Sequence, residues 1–311
     1  MAKKIEKLIL TLETEEVEML YDLRNGKKKG TTTYIGEIDP CWTWRESELN
    51  IISGYSNEGK SLLLKQLCLI KALEENKKFI FYSPEDYPAS EFFQDMIHTI
   101  SGKSTDKDNH NFISEELYQH CFDLIKDNFT FLYIQPPNNT IEEIVNSFEE
   151  ILELHPDIYG IIVDPYIKVS RSKLAPERDD LYGAFFMNTL GDFTRMNNLC
   201  AFLVMHQLTP KKNEGDKLYP KPSMYSIKSG GTFADTADNV LIVQRPYYAK
   251  DKINPMVIFG SDKIKKQKLV GVPQEIEIQF NPKTNRYTDM NANDLYNFDK
   301  HLPGYKTKRT F

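Results

Sequence analysis

The chain has 311 residues, 40% of them hydrophobic and 27% charged, which excludes a disordered chain and allows one large α/β domain with appendages. No stretch approaches the roughly 20 consecutive apolar residues of a membrane span. The start, Met1-Ala2-Lys3-Lys4-Ile5-Glu6-Lys7, is too charged for a signal-peptide core, so the cytoplasm is the expected location. The formal net charge of −6 speaks against a protein coated in nucleic acid, although a ring or channel can gather its basic residues on an inner face.

Residues 4–24 predict a helix, with Ile5, Leu8, Leu12, Val17, Leu20 and Leu23 spaced among charges. The basic, glycine-containing segment 25–30 ends it. Such a helix either packs on its own domain or docks on a neighbouring subunit. From residue 49 onward, short apolar runs alternate with helical periodicity. Strands are expected at 49–53, 78–83, 129–134, 160–163 and 201–205, and helices at 60–75, 90–101, 140–154 and 179–197, with a polar loop over 101–113. That alternation implies βαβ units, hence a mostly parallel, twisted sheet with helices on both faces. After Asp238 the helices thin out, and strands at 240–243, 256–259 and 275–280 predict an antiparallel C-terminal extension of the same sheet. The expected organisation is an N-terminal helix and linker (1–29), a catalytic domain (30–289) and a peripheral polar tail (290–311).

Cys41, Cys68, Cys121 and Cys200 form no CxxC pair and stand near no histidine cluster, which argues against a zinc site or a disulfide framework. Cys68 and Cys200 lie in apolar runs and read as core residues.

The strongest motif is Gly54-Tyr55-Ser56-Asn57-Glu58-Gly59-Lys60-Ser61, followed by Leu62. It matches the phosphate-binding pattern G-x-x-x-x-G-K-[ST] and stands between an apolar strand and an apolar helix, where that pattern works. Glycines let backbone N–H groups curl around phosphate oxygens, and the helix N-terminus adds its positive end. Lys60 is expected to reach the β- and γ-phosphates, and the Ser61 hydroxyl to ligate Mg²⁺. Gly160-Ile161-Ile162-Val163-Asp164 is a buried strand ending in a carboxylate, so Asp164 is the second expected Mg²⁺ group. After the second strand come Glu85 and Asp86. Glu85 is the better candidate to activate water and Asp86 the alternative, with an acidic helix cap as the competing account.

On these residues the chain resembles the DnaB-like hexameric replicative helicases, including phage primase-helicases and Twinkle, over roughly residues 30–287. The resemblance implies a RecA-like P-loop NTPase core. Ser83-Pro84-Glu85 stands where that family has Ser-Leu-Glu, which makes Glu85 the water-activating glutamate. Met205-His206-Gln207-Leu208 is similar to its Ser-Gln-Leu or Cys-His-Leu, implying that Gln207 couples the γ-phosphate to the DNA-binding loop. Ser226-Ile227-Lys228-Ser229-Gly230-Gly231 resembles that loop, so Lys228, Ser229, Gly230 and Gly231 are the expected DNA contacts, while Lys211, Lys212 and Lys217 read as a solvated loop sooner than as a basic rim to it. Arg245 and Phe280 look like the pair that sandwiches the base. In Lys266-Gln267-Lys268 the family has Lys-x-Arg, whose arginine reaches into the neighbour's active site. Lys268 keeps the charge but loses the planar fork, and Lys266 or Lys265 could substitute for it.

The leading expectation is thus a ring-forming DNA helicase, hexameric and of 5′–3′ polarity as the resemblance implies, using ATP or another NTP with Mg²⁺ and tracking single-stranded DNA. A primase or loader would be a separate chain, and a phage origin would place the protein in host cytoplasm. Two alternatives stand beside it: a RecA- or KaiC-like DNA-binding ATPase that does not unwind, and an assembly component with weak hydrolysis.

Overall fold

The computed structural model describes residues 11–173, 176–208, 219–228 and 231–305. The strands among them are β1 (Glu48–Gly54), β2 (Lys78–Tyr82), β3 (Phe129–Leu132), β4 (Ile158–Val163), β5 (Cys200–His206), β6 (Asn239–Gln244), β7 (Met256–Ile264), β8 (Glu275–Asn281) and β9 (Arg286–Thr288). They form one sheet in the order β3-β2-β4-β5-β1-β6-β7-β8-β9. The first six in that order pair in parallel, and β7, β8 and β9 continue antiparallel. The expected α/β architecture with its antiparallel extension is therefore present.

The helices are α1 (Glu16–Asn25), α2 (Lys60–Glu75), α3 (Ala89–Ser101), α4 (Glu115–Ile125), α5 (Ile141–Leu154), α6 (Asp179–Met196), α7 (Gly231–Thr236) and α8 (Gln267–Val270). Both faces of the sheet are covered, so its central strands read as unbroken apolar runs while their side chains still alternate in destination. Ile52, Phe202, Val204, Leu241 and Val243 join the core beneath α2 and α3. Leu49, Ile51, Leu203, Val240 and Ile242 join the core beneath α5 and α6. Glycine is needed at 160 because a Cβ there would stand 2.7 Å from the Phe79 ring on the neighbouring strand.

The segment before β1 adds an aromatic layer that the sequence reading left unassigned. Trp42 and Trp44 are buried, each packing edge-on to Phe202. The Trp42 indole N–H donates to Asn50 Oδ1 at 3.0 Å, which satisfies a polar side chain in the middle of β1. All four cysteines are buried and free.

Two segments differ from expectation. The helix α4 follows the polar loop and was not anticipated. Part of the tail expected to be peripheral is core: Tyr296 and Phe298 are buried, and Arg286 pairs with Asp294 (2.7 Å) and Asp299 (3.0 Å). At the other end, α1 buries none of its residues, and Val17 and Leu23 are each 80% exposed. Residues 4–10 of the expected helix lie outside the described residues, as do 306–311. No helix among the described residues is long and apolar enough to cross a membrane.

Candidate active site

The carboxyl ends of the parallel strands converge on one cleft of about 1060 Å³, the end of an open α/β sheet at which ligands bind. The phosphate-loop motif forms its floor. Gly54 closes β1 so tightly against β6 that a Cβ would stand 2.2 Å from the Val243 carbonyl oxygen; it supports the loop without lining the cleft. Asn57 (φ 63°) and Gly59 (φ 89°) adopt left-handed backbone, which curls the loop into the start of α2. Lys60 is nearly buried, and its Nζ donates to the Tyr55 carbonyl at 2.7 Å. Burial lowers its pKa, opposed by Asp164, Glu58 and Glu85. Glu58 is buried too. Its Oε2 accepts from the Tyr55 N–H at 2.9 Å, and burial pushes its carboxyl up to about 7 despite that bond. Gly59 is fixed from above, where the Tyr287 hydroxyl donates to its carbonyl at 3.0 Å.

Asp164 follows β4 and is 4% exposed. Burial raises its pKa to about 6, against a hydrogen bond from Ser61 and the attraction of Lys65 and Lys60. A buried carboxylate beside a serine hydroxyl at a helix N-terminus is a donor set suited to Mg²⁺ bound with a nucleotide.

The 3₁₀ turn Pro84–Asp86 after β2 separates the two acidic residues. Asp86 accepts from the Ser83 hydroxyl at 2.9 Å and stands 3.7 Å from Lys65 Nζ, so its carboxylate is engaged within the fold; neither acidic side chain caps a helix. Glu85 is left half exposed on the cleft wall, 3.4 Å from Lys168 Nζ.

At the end of β5, Gln207 is 4% exposed and fully engaged. Its Nε2 donates to Ser53 Oγ (3.1 Å) and to the Ser223 carbonyl (3.0 Å), while its Oε1 accepts from Ser226 Oγ (2.6 Å). The residue therefore ties the strand beneath the phosphate loop to the turn that leads into Lys228. Lys228 itself is exposed on the cleft rim, its N–H donating to the His206 carbonyl at 2.8 Å. Gly231 opens α7, whereas Ser229, Gly230, Lys211, Lys212 and Lys217 lie outside the described residues.

Arg245 and Phe280 line the opposite part of the cleft. The Arg245 guanidinium lies 4.4 Å from the centre of the Tyr248 ring and donates to the carbonyls of Lys252 and Asn254. Tyr248, Asn285 and Tyr287 line the same wall and escaped the sequence reading, since no motif spacing marks them. Lys268 is not in this cleft. It sits in α8, beyond the end of β7 that pairs with the start of β6 (Asn239 opposite Ile264), at the far end of the sheet from the phosphate loop. Its neighbours are committed elsewhere: Lys265 to Asp238 at 2.9 Å, Lys266 toward Glu48 at 3.7 Å.

No protein-family model matches the chain. Among solved structures, the ATPase domain of G40P has a TM-score of 0.73 at 12% identity, covering 90% of this chain and 99% of that one. A DnaB-like replicative helicase, solved with its interactions with primase, also scores 0.73 at 12% identity, covering 90% of this chain and 68% of that one. The chain has the fold of a DnaB-like helicase ATPase domain. A chloroplastic/mitochondrial Twinkle homolog of Arabidopsis thaliana is 20% identical over 278 residues. The alignment takes in 88% of this chain, which spans only 38% of that relative's length. Of the residues singled out by the sequence resemblance, Glu85, Gln207, Lys228, Arg245 and Phe280 line the cleft of the phosphate loop, and Lys268 does not.

Proposed function

We propose that the chain is the NTP-driven motor of a ring-shaped DNA helicase. The observation that carries this reading is the Gln207 bridge, which joins the phosphate-loop strand to the turn preceding Lys228.

In this reading Lys60 and the loop backbone from Asn57 to Leu62 hold the triphosphate, and Arg245 and Phe280 flank the base. Ser61 and Asp164 hold Mg²⁺, which neutralises charge on the β- and γ-phosphate oxygens when bound. Glu85 orients and deprotonates the attacking water; it is exposed in the cleft, 3.4 Å from Lys168 Nζ. Gln207 transmits the state of the phosphates to the loop of Lys228, Ser229, Gly230 and Gly231, which contacts the phosphates of single-stranded DNA. Lys268 lies outside the cleft of its own subunit, which suits a role in a neighbour's cleft within a homo-oligomeric ring, six-membered by resemblance. The bare apolar stripe of α1 docks on an adjacent subunit. Movement in the 5′–3′ direction and a separate primase or loader complete the reading by resemblance.

The test is the ATPase rate with and without single-stranded DNA, alongside Lys60→Ala. Strong stimulation that the variant abolishes supports a motor and leads to a forked-duplex unwinding assay, which separates a helicase from a DNA-stimulated ATPase that does not unwind. Nucleotide binding without hydrolysis, DNA present or absent, overturns the motor reading. Lysine in place of arginine at 268 favours the second reading, a nucleotide-binding assembly component with weak hydrolysis.

A further inference from the structure

We infer that Lys168 is a catalytic residue of this cleft: from within the same subunit, its ammonium stabilises the charge on the γ-phosphate during transfer to the water held by Glu85. The inference deepens the hydrolytic reading above and rests on it.

The starting point is how the cations around the cleft are spent. Lys60, Lys65, Lys168, Lys228 and Arg245 line it. Lys60 belongs to the phosphate loop. Lys65 is buried, its Nζ 2.7 Å from Asp95 and 3.7 Å from Asp86. Arg245 gives its guanidinium to the carbonyls of Lys252 and Asn254. Lys168 is the cation beside the proposed water-activating group, its Nζ 3.4 Å from Glu85 Oε1, with both side chains about half exposed.

A single buried side chain ties the two segments that carry this pair. Glu85 lies three residues past Tyr82, the last residue of β2, and Lys168 ends the short turn Tyr166–Lys168 that follows β4. The two strands are neighbours in parallel register, Tyr82 opposite Val163, so both turns open onto the same end of the sheet. Asn139 is fully buried, and its Nδ2 donates to the Tyr82 hydroxyl and to the Lys168 carbonyl, each at 2.7 Å. Its Oδ1 accepts from Ser170 Oγ at 2.6 Å. The main chain at Lys168 is thus pinned to the end of β2, and the side chain is left to the cleft.

A lysine ammonium has three N–H donors and no acceptor. One donor serves the Glu85 carboxylate, and two remain for oxygens of the γ-phosphate. In hydrolysis the water oxygen bonds to the γ-phosphorus, and the bond to the β,γ-bridging oxygen breaks with its electron pair leaving on the diphosphate. The proton of the water passes to Glu85. A cation held against the carboxylate that positions the water stands beside the reacting oxygens, where a fixed charge acts most strongly on the transition state. Lys168 is not consumed in the step. It also needs no second subunit, unlike Lys268, which lies outside its own cleft.

The experiment measures steady-state ATP hydrolysis and ADP affinity, both with Mg²⁺, for the wild type, Lys168→Ala, Lys168→Arg and Glu85→Gln. Lys168→Ala is expected to lower kcat about hundredfold, with KM for ATP and ADP affinity little changed, the pattern of an interaction made in the transition state. Lys168→Arg keeps the charge and recovers part of the loss. An unchanged kcat in Lys168→Ala, with Glu85→Gln inactive, overturns the inference and leaves the Glu85 reading standing. A faster Lys168→Ala does the same, because the lysine would then be a lock on the carboxylate. A rise in KM alone also overturns it, because the charge would then serve binding only. Should Lys168→Ala not fold, Lys168→Gln gives the same comparison. Wild-type protein that does not hydrolyse ATP, or that keeps its rate in Glu85→Gln, overturns the reading of Glu85 itself, and the inference falls with it.

Discussion

Ser226 Oγ donates to Gln207 Oε1 at 2.6 Å, closing a hydrogen-bonded bracket between the β5 end and the turn before Lys228. Both groups are shielded, so neither finds an equivalent partner in water. Gln207→Ala leaves Ser53 Oγ and the Ser223 carbonyl without their donor. The expected outcome is that the factor by which single-stranded DNA stimulates ATP hydrolysis falls toward one. Stability drops by about 1–3 kcal/mol in the same variant. Steady-state ATPase assays with a DNA titration, and denaturant unfolding, check the two parts.

Gly54 tests how the phosphate loop is seated. A methyl group there would meet the Val243 carbonyl at 2.2 Å, a backbone atom held in the sheet. Gly54→Ala is expected to destabilise the fold by about 3 kcal/mol through overpacking, seen as a lower unfolding midpoint in urea. A midpoint equal to the wild type's would show that β1 and β6 can separate at that end.

Glu58 makes the fold sensitive to pH. Its folded pKa of about 7 lies above the ordinary 4.5 because the carboxyl is buried. Between those values the folded chain keeps a proton that the unfolded chain has released, so stability falls as pH rises through that window. Glu58→Gln cannot ionise and still offers an oxygen to the Tyr55 N–H. Its melting temperature should exceed the wild type's by a margin that grows from about pH 4.5 to about pH 7. A constant margin would assign the shift to some other group.

Lys268 is separated from its own phosphate loop by the length of the sheet, roughly 20 Å for a six-residue strand. Service to a neighbouring subunit predicts complementation. Lys60→Ala and Lys268→Ala proteins, each inactive alone, should regain ATPase activity when mixed, because some interfaces then pair an intact loop with an intact lysine. Lys268→Arg should raise the wild-type rate about tenfold or more, since a guanidinium finger contributes strongly to phosphoryl transfer. Absence of complementation would place the lysine outside the chemistry.

Phe280 lines the cleft where the proposed reading puts the base. Removing its ring in Phe280→Ala should raise KM for ATP about tenfold while leaving kcat nearly unchanged, as expected for an interaction made equally in ground and transition states. A fall in kcat instead would tie this wall of the cleft to the chemical step.

The contiguous part of the site was legible because phosphate recognition by backbone N–H groups demands a local glycine pattern. Residues 54–61 therefore announced themselves, and the apolar run ending at Asp164 followed once that loop was known. Asp86 stayed open as the alternative to Glu85, because only the folded turn shows which of them the Ser83 hydroxyl engages. Tyr287 was invisible for another reason. It reaches Gly59 from β9, a three-residue strand, across 228 positions of chain. The helix α4 did carry a signal: Ser114 caps it through the Leu117 N–H, and Cys121 and Ile125 are its buried positions. The preceding polar loop masked that short amphipathic stretch. The burial of Tyr296 and Phe298 depends on partners in α2, α3 and β9, which no local pattern in a polar tail encodes.

The Tyr287–Gly59 contact gives the nucleotide a mechanical role. The phosphate loop belongs to the parallel half of the sheet, and Phe280 and Tyr287 belong to the antiparallel half, so a ligand gripped by both spans the seam between them. Occupancy should then act as a brace. At a hundredfold excess over Kd it adds about 2.7 kcal/mol of stability, and slowed amide exchange should extend as far as β8 and β9. The C-terminal strands, remote from the phosphate motif in sequence, become a gauge of whether the site is filled.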